Sequence, residues 1–298
     1  MNGILNIYKE KGFTSHDVVA KLRGILHQKK IGHTGTLDPR AEGVLPVCLG
    51  NATKLCDLLT DKTKEYEAVL LLGLTTDTQD AEGKVLSEGD PSPVTAEQIR
   101  DIIMSFVGKS EQIPPMYSAI KVGGKKLYEL ARQGIEVERK PRPIEIFRIE
   151  IKKIDLPRVR FTVECSKGTY IRTLCHDMGQ KAGCGGIMES LLRTRVDRFA
   201  LSDALKLSEI EDLAKEGRVE EVLIPVDAAF EKHPAYQVLE QYRKVLENGN
   251  VLSDKMVRAI DSVEEDDLLR IYDEAGRFYG LYERKETGEI KPVKMFLG

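Results

Sequence analysis

The chain has 298 residues, 41% of them hydrophobic and 31% charged, with a net charge of −3 at pH 7. That is the composition of a globular protein with enough apolar material for one large domain, or for a large and a small one. No apolar run reaches the roughly 18 residues of a membrane span, and "MNGILNIYKEKGF" has no apolar stretch behind a basic start, so the expectation is a cytoplasmic protein without a secretory signal.

In chain order, "ILNIYK" predicts a short strand. "SHDVVAKLRGILHQ" predicts a helix with Ser15 as N-cap and Val18, Val19, Leu22, Ile25 and Leu26 on one face. A glycine-rich loop follows, then "VLPVCLG" as a short buried strand and "ATKLCDLLTD" as a helix. "KEYEAVLLLGL" is strand-like, and its apolar run points to deep burial. "TTDTQDAEGKV" reads as a turn-rich loop. "TAEQIRDIIMSFVG" opens on a capping box, Thr95 with Gln98, and predicts a helix ended by Gly108. From Tyr117 to Pro143 the chain holds seven basic and three acidic residues with glycine and proline borders, a candidate mobile basic insertion. "IEIFRIEIKKIDL" and "RVRFTVECS" alternate as neighbouring strands, and "TYIRTLCHDMGQKAG" reads as a helix ending near Gly183. "GGIMESLLRTRVDRF" reads as an extended stretch carrying Arg193, Arg195 and Arg198, and an acidic helix follows around "LSEIEDLAKEG". From about His233 apolar and polar residues alternate, with turn signals at Asp273–Gly276 and Thr287–Gly288, as in a small β domain.

Charge is unevenly placed. Residues 201–298 hold 14 Lys and Arg against 22 Asp and Glu, which leaves the first 200 residues with a net charge of +5. Ordinary solvated charge and a polyanion site on the first part both fit this asymmetry. The five cysteines are odd in number and loosely spaced, which argues against a disulfide framework. Cys165, Cys175, His176 and Cys184 lack the paired spacing of a zinc site, so buried thiols are expected and no metal.

The chemistry concentrates in "KKIGHTGTLDPRAEGVLPVCLG". Asp38 there is either a turn-forming residue before Pro39 or a carboxylate held by a shaped loop as nucleophile or base. The second role needs an ionised carboxylate, and Arg172 in "KGTYIRT" is the candidate partner that would depress its pKa and orient it. Tyr66 and Tyr170 are core aromatics or faces for a base. Lys167, Gly168 and Tyr170 together suit a phosphate and a base. His33 either stacks on a nucleotide or caps the loop. The loop lacks P-loop spacing, and no G-x-S-x-G elbow is present.

Four segments in order, "GHTGTLDPRAEGVLPVCLG", "KEYEAVLLLGLTTDTQDAEG", "IPPMYSAIKVGGKKLYELAR" and "KGTYIRTLCHDMG", resemble the TruB-type tRNA pseudouridine-55 synthases from about Ile4 to about Phe199. The tail resembles the PUA domain that follows in that family. The resemblance implies an α+β fold: a mixed, largely antiparallel sheet with flanking helices over residues 1–230, with an RNA-clamping insertion at about 117–143, then a small all-β PUA-like barrel over 231–298. It implies Asp38 as the catalytic carboxylate paired with Arg172. Tyr66, following Lys64 in the K-x-Y motif, would stack on a flipped uracil. Tyr170 and Leu191 would line the base pocket, and His33 would help displace the target nucleotide. The implied partner is the T-stem-loop of tRNA, handled by a monomer without guide RNA, cofactor or metal. Three other readings compete: an RNA-binding or RNA-folding module, a guide-dependent synthase, and a carboxylate glycosidase using Asp77 or Asp80.

Overall fold

The computed structural model describes residues 1–60, 62–261 and 266–296. The first part of the chain runs β1 (Gly3–Lys9), α1 (Ser15–Ile25), β2 (Ile31–His33), β3 (Glu42–Leu49), α2 (Cys56–Thr60), β4 (Lys64–Leu72), β5 (Leu74–Thr76) and β6 (Val85–Glu88). It continues through α3 (Ala96–Met104), β7 (Gly108–Gln112), β8 (Lys121–Val122), β9 (Lys125–Lys126), α4 (Leu127–Ala131), β10 (Arg142–Asp155), β11 (Arg158–Cys165), α5 (Ile171–Lys181), β12 (Gly186–Val196), β13 (Phe199–Ala200) and α6 (Leu207–Lys215). The tail holds β14 (Ala235–Val238), α7 (Arg243–Glu247), β15 (Leu252–Ser253), β16 (Val257–Ala259), β17 (Leu268–Tyr272), β18 (Phe278–Arg284) and β19 (Glu289–Met295).

A nine-stranded sheet in the order β1-β3-β12-β4-β11-β10-β7, with β2 on β3 and β13 on β12, forms the centre. Every pairing is antiparallel except β3 with β12. The tail is a barrel-like six-stranded sheet, β15-β19-β18-β17-β14-β16. The expected mixed, largely antiparallel sheet with an all-β tail is therefore what the chain forms.

Burial follows the two-residue period of a strand. Along β4, Lys64, Tyr66, Ala68, Leu70 and Leu72 are buried and the residues between them only half so. The expected deep burial thus holds for one face alone. On the other face Glu65 and Glu67 meet Arg195 and Arg160 across the strands. The buried face packs with Phe161, Val163, Leu174 and Met178 in the largest core cluster, each such side chain contributing roughly 1.5–3 kcal/mol. Cys165, Cys175 and Cys184 sit in this cluster as small hydrophobes.

Several local expectations need correction. The N-cap of α1 is Thr14, which forms a capping box with Asp17. Ser15 is one residue inside, buried, with its hydroxyl turned to the loop ahead. The stretch after β4 is not all loop, since its ends pair as the β5–β6 hairpin. The "ATKLCDLLTD" helix begins as a 3₁₀ turn, Gly50–Leu55, and its last residue, Asp61, lies outside the described residues. Helix α3 has the expected Thr95–Gln98 box but stops at its C-cap Ser105, before Gly108. The basic segment folds on itself: β8 and β9 form a hairpin, and Leu127 and Leu130 of α4 pack on Met116.

The tail is not a free appendage. Phe296 and Leu281 share a buried cluster with Ile4, Val44, Cys48 and Phe230 from the first part of the chain.

Candidate active site

The loop after β2 carries Asp38, and four fastenings explain its fixed shape. The guanidinium of Arg193 donates to the Gly35 carbonyl at 3.3 Å. The Leu37 N–H donates to the Ser15 hydroxyl at 2.9 Å. The Pro39 carbonyl accepts from the Gly12 N–H at 2.9 Å and from the Lys9 ammonium at 3.2 Å. The Ala41 N–H donates to the Asp38 carbonyl at 3.1 Å, closing the Asp-Pro turn. Leu37 and Ala41 are buried against Tyr66 in the main core. Asp38 is thus both a turn residue and an oriented carboxylate.

Helix α5 brings in the partner. Arg172, 6% exposed, sets its Nε 3.0 Å from Asp38 Oδ2 and its Nη2 3.5 Å from Oδ1. The same guanidinium donates to the carbonyls of Thr78 and Tyr117, at 3.3 and 3.0 Å, and lies 3.7 Å from Asp80. It therefore joins the Asp38 loop, the β5–β6 connection and the basic segment at one point. Asp80 could not be placed in this network from spacing alone, because its proximity depends on the β5–β6 hairpin folding back.

The expected sign of the Asp38 shift was a depression by Arg172. Arg172 does act in that direction but is outweighed: loss of solvation raises the Asp38 pKa, Arg172 opposes this, and Asp80 adds to the rise. The side chain keeps 40% of its surface open to the cleft, so the rise is smaller than full burial would give.

The cleft in front of Asp38 spans ≈ 1560 Å³ and is lined by Lys64, Tyr66, Tyr170, Arg172 and Leu191, among others. Five of the expected site residues thus share one cavity with Asp38. Tyr66 is 7% exposed, and burial raises its phenol pKa while Arg193 works against the rise. Tyr170 precedes α5, with its backbone N–H and carbonyl both held by the Gln112 amide, at 2.8 and 3.1 Å. Leu191 on β12 lies directly opposite Ala68 on β4. Lys64 is buried two residues before Tyr66 on the same face, and its ammonium donates to the Lys62 carbonyl at 2.6 Å. His33 is not part of the lining. It ends β2, accepts at Nδ1 from the Gly35 N–H at 3.4 Å, and meets His16 edge to face at 5.6 Å. His16 reaches the cleft instead. Burial, then the charges of His16 and Arg193, lower the His33 pKa.

Two basic residues went unassigned in the sequence. Lys9 is fully buried under the loop, and burial lowers its pKa to about 8. Arg193 is 1% exposed, and its Nε donates to the Val44 carbonyl at 2.7 Å. A buried cation leaves no local sequence signal, because Lys and Arg on a strand read as solvated charge.

Residues 23–171 match the model of the TruB family pseudouridylate synthase N-terminal domain, and residues 172–231 that of the tRNA pseudouridylate synthase B C-terminal domain. Proteins named tRNA pseudouridine synthase B from Clostridium tetani and Lachnoclostridium phytofermentans are 47% and 53% identical, each over 100% of both chains. Among solved structures, an H/ACA RNP bound to a substrate RNA containing 2′-deoxyuridine is similar with a TM-score of 0.74 at 25% identity, over 99% of this chain and 85% of that one. A Cbf5-Nop10-Gar1 complex has the same TM-score and coverage at 27% identity. The chain belongs to the TruB family of pseudouridylate synthases, RNA-modifying isomerases.

Proposed function

We propose that this enzyme converts uridine 55 in the T-loop of tRNA to pseudouridine, with Asp38 as its catalytic carboxylate and the target base flipped into the cleft. The observation that carries the reading is the Arg172–Asp38 pair at 3.0 Å beside the Tyr66 face. The reaction breaks the N1–C1′ bond, turns the uracil and joins C5 to C1′. N1 gains a proton and C5 loses one, so the balance closes within the nucleotide and calls for no oxidant or hydrolytic water.

Each residue has a task in this scheme. Arg172 holds Asp38 oriented and favours its ionised form. Tyr66 supplies the stacking face, Leu191 closes the apolar side, and Tyr170 lines the pocket, so that the detached uracil stays in register. Lys64 fixes the edge of β4 near the loop, and His33 stiffens the loop that displaces the nucleotide. Flipping costs a few kcal/mol, which stacking and backbone contacts offset. The unit at 1–230 carries the chemistry, the basic segment 117–143 clamps the RNA, and the PUA-like unit at 231–298 extends the contact with a folded stem read by shape. The protein works as a cytoplasmic monomer without a guide RNA. Similarity over the full chain to relatives named tRNA pseudouridine synthase B favours this reading over the ribonucleoprotein arrangement named for a structural neighbour.

The test is tritium release from a tRNA transcript carrying [5-³H]uridine, with no other RNA or protein added. Wild type releases tritium, and folded, tRNA-binding Asp38→Asn does not. Turnover by Asp38→Asn would remove the catalytic assignment. Silence of wild type would remove the stand-alone reading.

A further inference from the structure

Arg193 is a buried cation that reaches both the Asp38 loop and Tyr66. Among the described residues no carboxylate pairs with it. Its guanidinium meets the Val44 carbonyl at 2.7 Å, the Gly35 carbonyl at 3.3 Å and the phenol of Tyr66. Such a charge costs several kcal/mol to bury unless it is fully hydrogen-bonded, and a leucine would fill a core position without that cost. The backbone explains why it is here. Arg193 lies directly opposite Tyr66 in the β12–β4 ladder, so the two side chains project from the same face, and it lies beside Gly43 in the parallel β12–β3 pairing. Gly43 has φ +104°, and a Cβ there would collide with the Arg193 carbonyl. Three strands therefore meet at this residue, and its side chain crosses from the stacking tyrosine to the loop three residues ahead of Asp38.

We propose that Arg193 is a positioning residue of the reaction: one guanidinium that clamps the Gly35 carbonyl of the Asp38 loop and orients the Tyr66 phenol toward the base. This rests on the proposed roles of Asp38 and Tyr66. The planar fork of five donors suits it, since one face can serve two carbonyls while another edge meets the phenol. Lysine keeps the charge but cannot span the three acceptors at once. The cation also counters the upward push that burial gives the Tyr66 pKa.

The experiment compares wild type, Arg193→Lys, Arg193→Met, Tyr66→Phe and Tyr66→Phe/Arg193→Lys. Folding is checked by thermal melting, RNA affinity by filter binding, and the chemical step by single-turnover tritium release at saturating enzyme. Arg193→Met is expected to slow that step about 100-fold, the scale of a small misplacement of catalytic groups, while affinity stays near wild type. Arg193→Lys recovers part of the loss, and its residual defect is smaller when Tyr66 is already Phe, by the part that runs through the phenol. An equal Arg193→Lys defect in both backgrounds, or a change confined to affinity or melting, overturns the proposal. A second readout is independent of activity. The chain has no Trp, so near-ultraviolet titration of wild type against Tyr66→Phe isolates the Tyr66 phenol. Its pKa should rise in Arg193→Met, and an unmoved titration overturns the contact. If wild type itself releases no tritium, the proposed function has failed, and the titration alone decides whether Arg193 holds Tyr66.

Discussion

Replacing Arg172 by Met should be costly in two measurable ways. The guanidinium touches two carboxylates, Asp38 and Asp80, and two carbonyls, those of Thr78 and Tyr117. Breaking a buried charge network by removing one partner typically costs about 3–5 kcal/mol. Asp38 is 40% exposed and can rehydrate, which places the loss at the lower end, about 3 kcal/mol, or roughly 6 °C in melting temperature for a chain of this size. Arg172 also opposes the raised pKa of Asp38, so its loss lifts that pKa further. Catalysis needs the ionised carboxylate, so activity falls as pH drops through the Asp38 pKa, and the acid limb of the rate profile moves to higher pH in the variant. The assay is a thermal melt of wild type, Arg172→Met, Asp38→Asn and the double variant, with single-turnover rates across pH. A double-mutant coupling of at least about 1 kcal/mol is expected for groups in contact. Additive melting costs together with an unmoved acid limb would refute the argument that Arg172 acts on Asp38.

Gly43→Ala should leave little folded protein, because φ +104° and the approach of the Arg193 carbonyl both reject a Cβ; a soluble variant melting within about 2 °C of wild type would show that the strands can part there. For Lys9, the folded pKa near 8 lies below the ordinary 10.5, so the unfolded chain holds more protons between these values and stability attributable to Lys9 rises with pH across that window. Urea midpoints of wild type relative to Lys9→Met should therefore climb from neutral pH to about pH 10, and a flat difference would mean the ammonium is not desolvated. Truncation after His233 removes Phe278, Leu281 and Phe296 from a core shared with Ile4 and Val44, so the remaining part should aggregate or melt earlier. A truncated chain with unchanged melting would show that the shared cluster contributes nothing to it.

Much was legible in the sequence because it is locally encoded. The capping box at Thr95, the alternation of β10 and β11, the turn glycines at 276 and 288 and the spacing of "GHTGTLDPRAEG" and "KGTYIRT" each mark structure or chemistry within a few residues. Those segments placed Asp38 and Arg172 as candidates, and the fold brings the two together at 3.0 Å. Non-local relations were not legible. Thr14 caps α1 because Ser15 is spent on the Leu37 N–H. Asp80 joins Arg172 through a hairpin, and His33 leaves the cleft lining to His16. The sign of the Asp38 shift depends on how much water the surrounding strands exclude, which no neighbour in sequence reports. Arg193 shows the division most clearly. Its position on an extended stretch follows from the pattern of residues around it. Its direction into the protein, onto Tyr66 and Gly35, is decided by cross-strand register, which joins residues as far as 158 positions apart only once the sheet has formed.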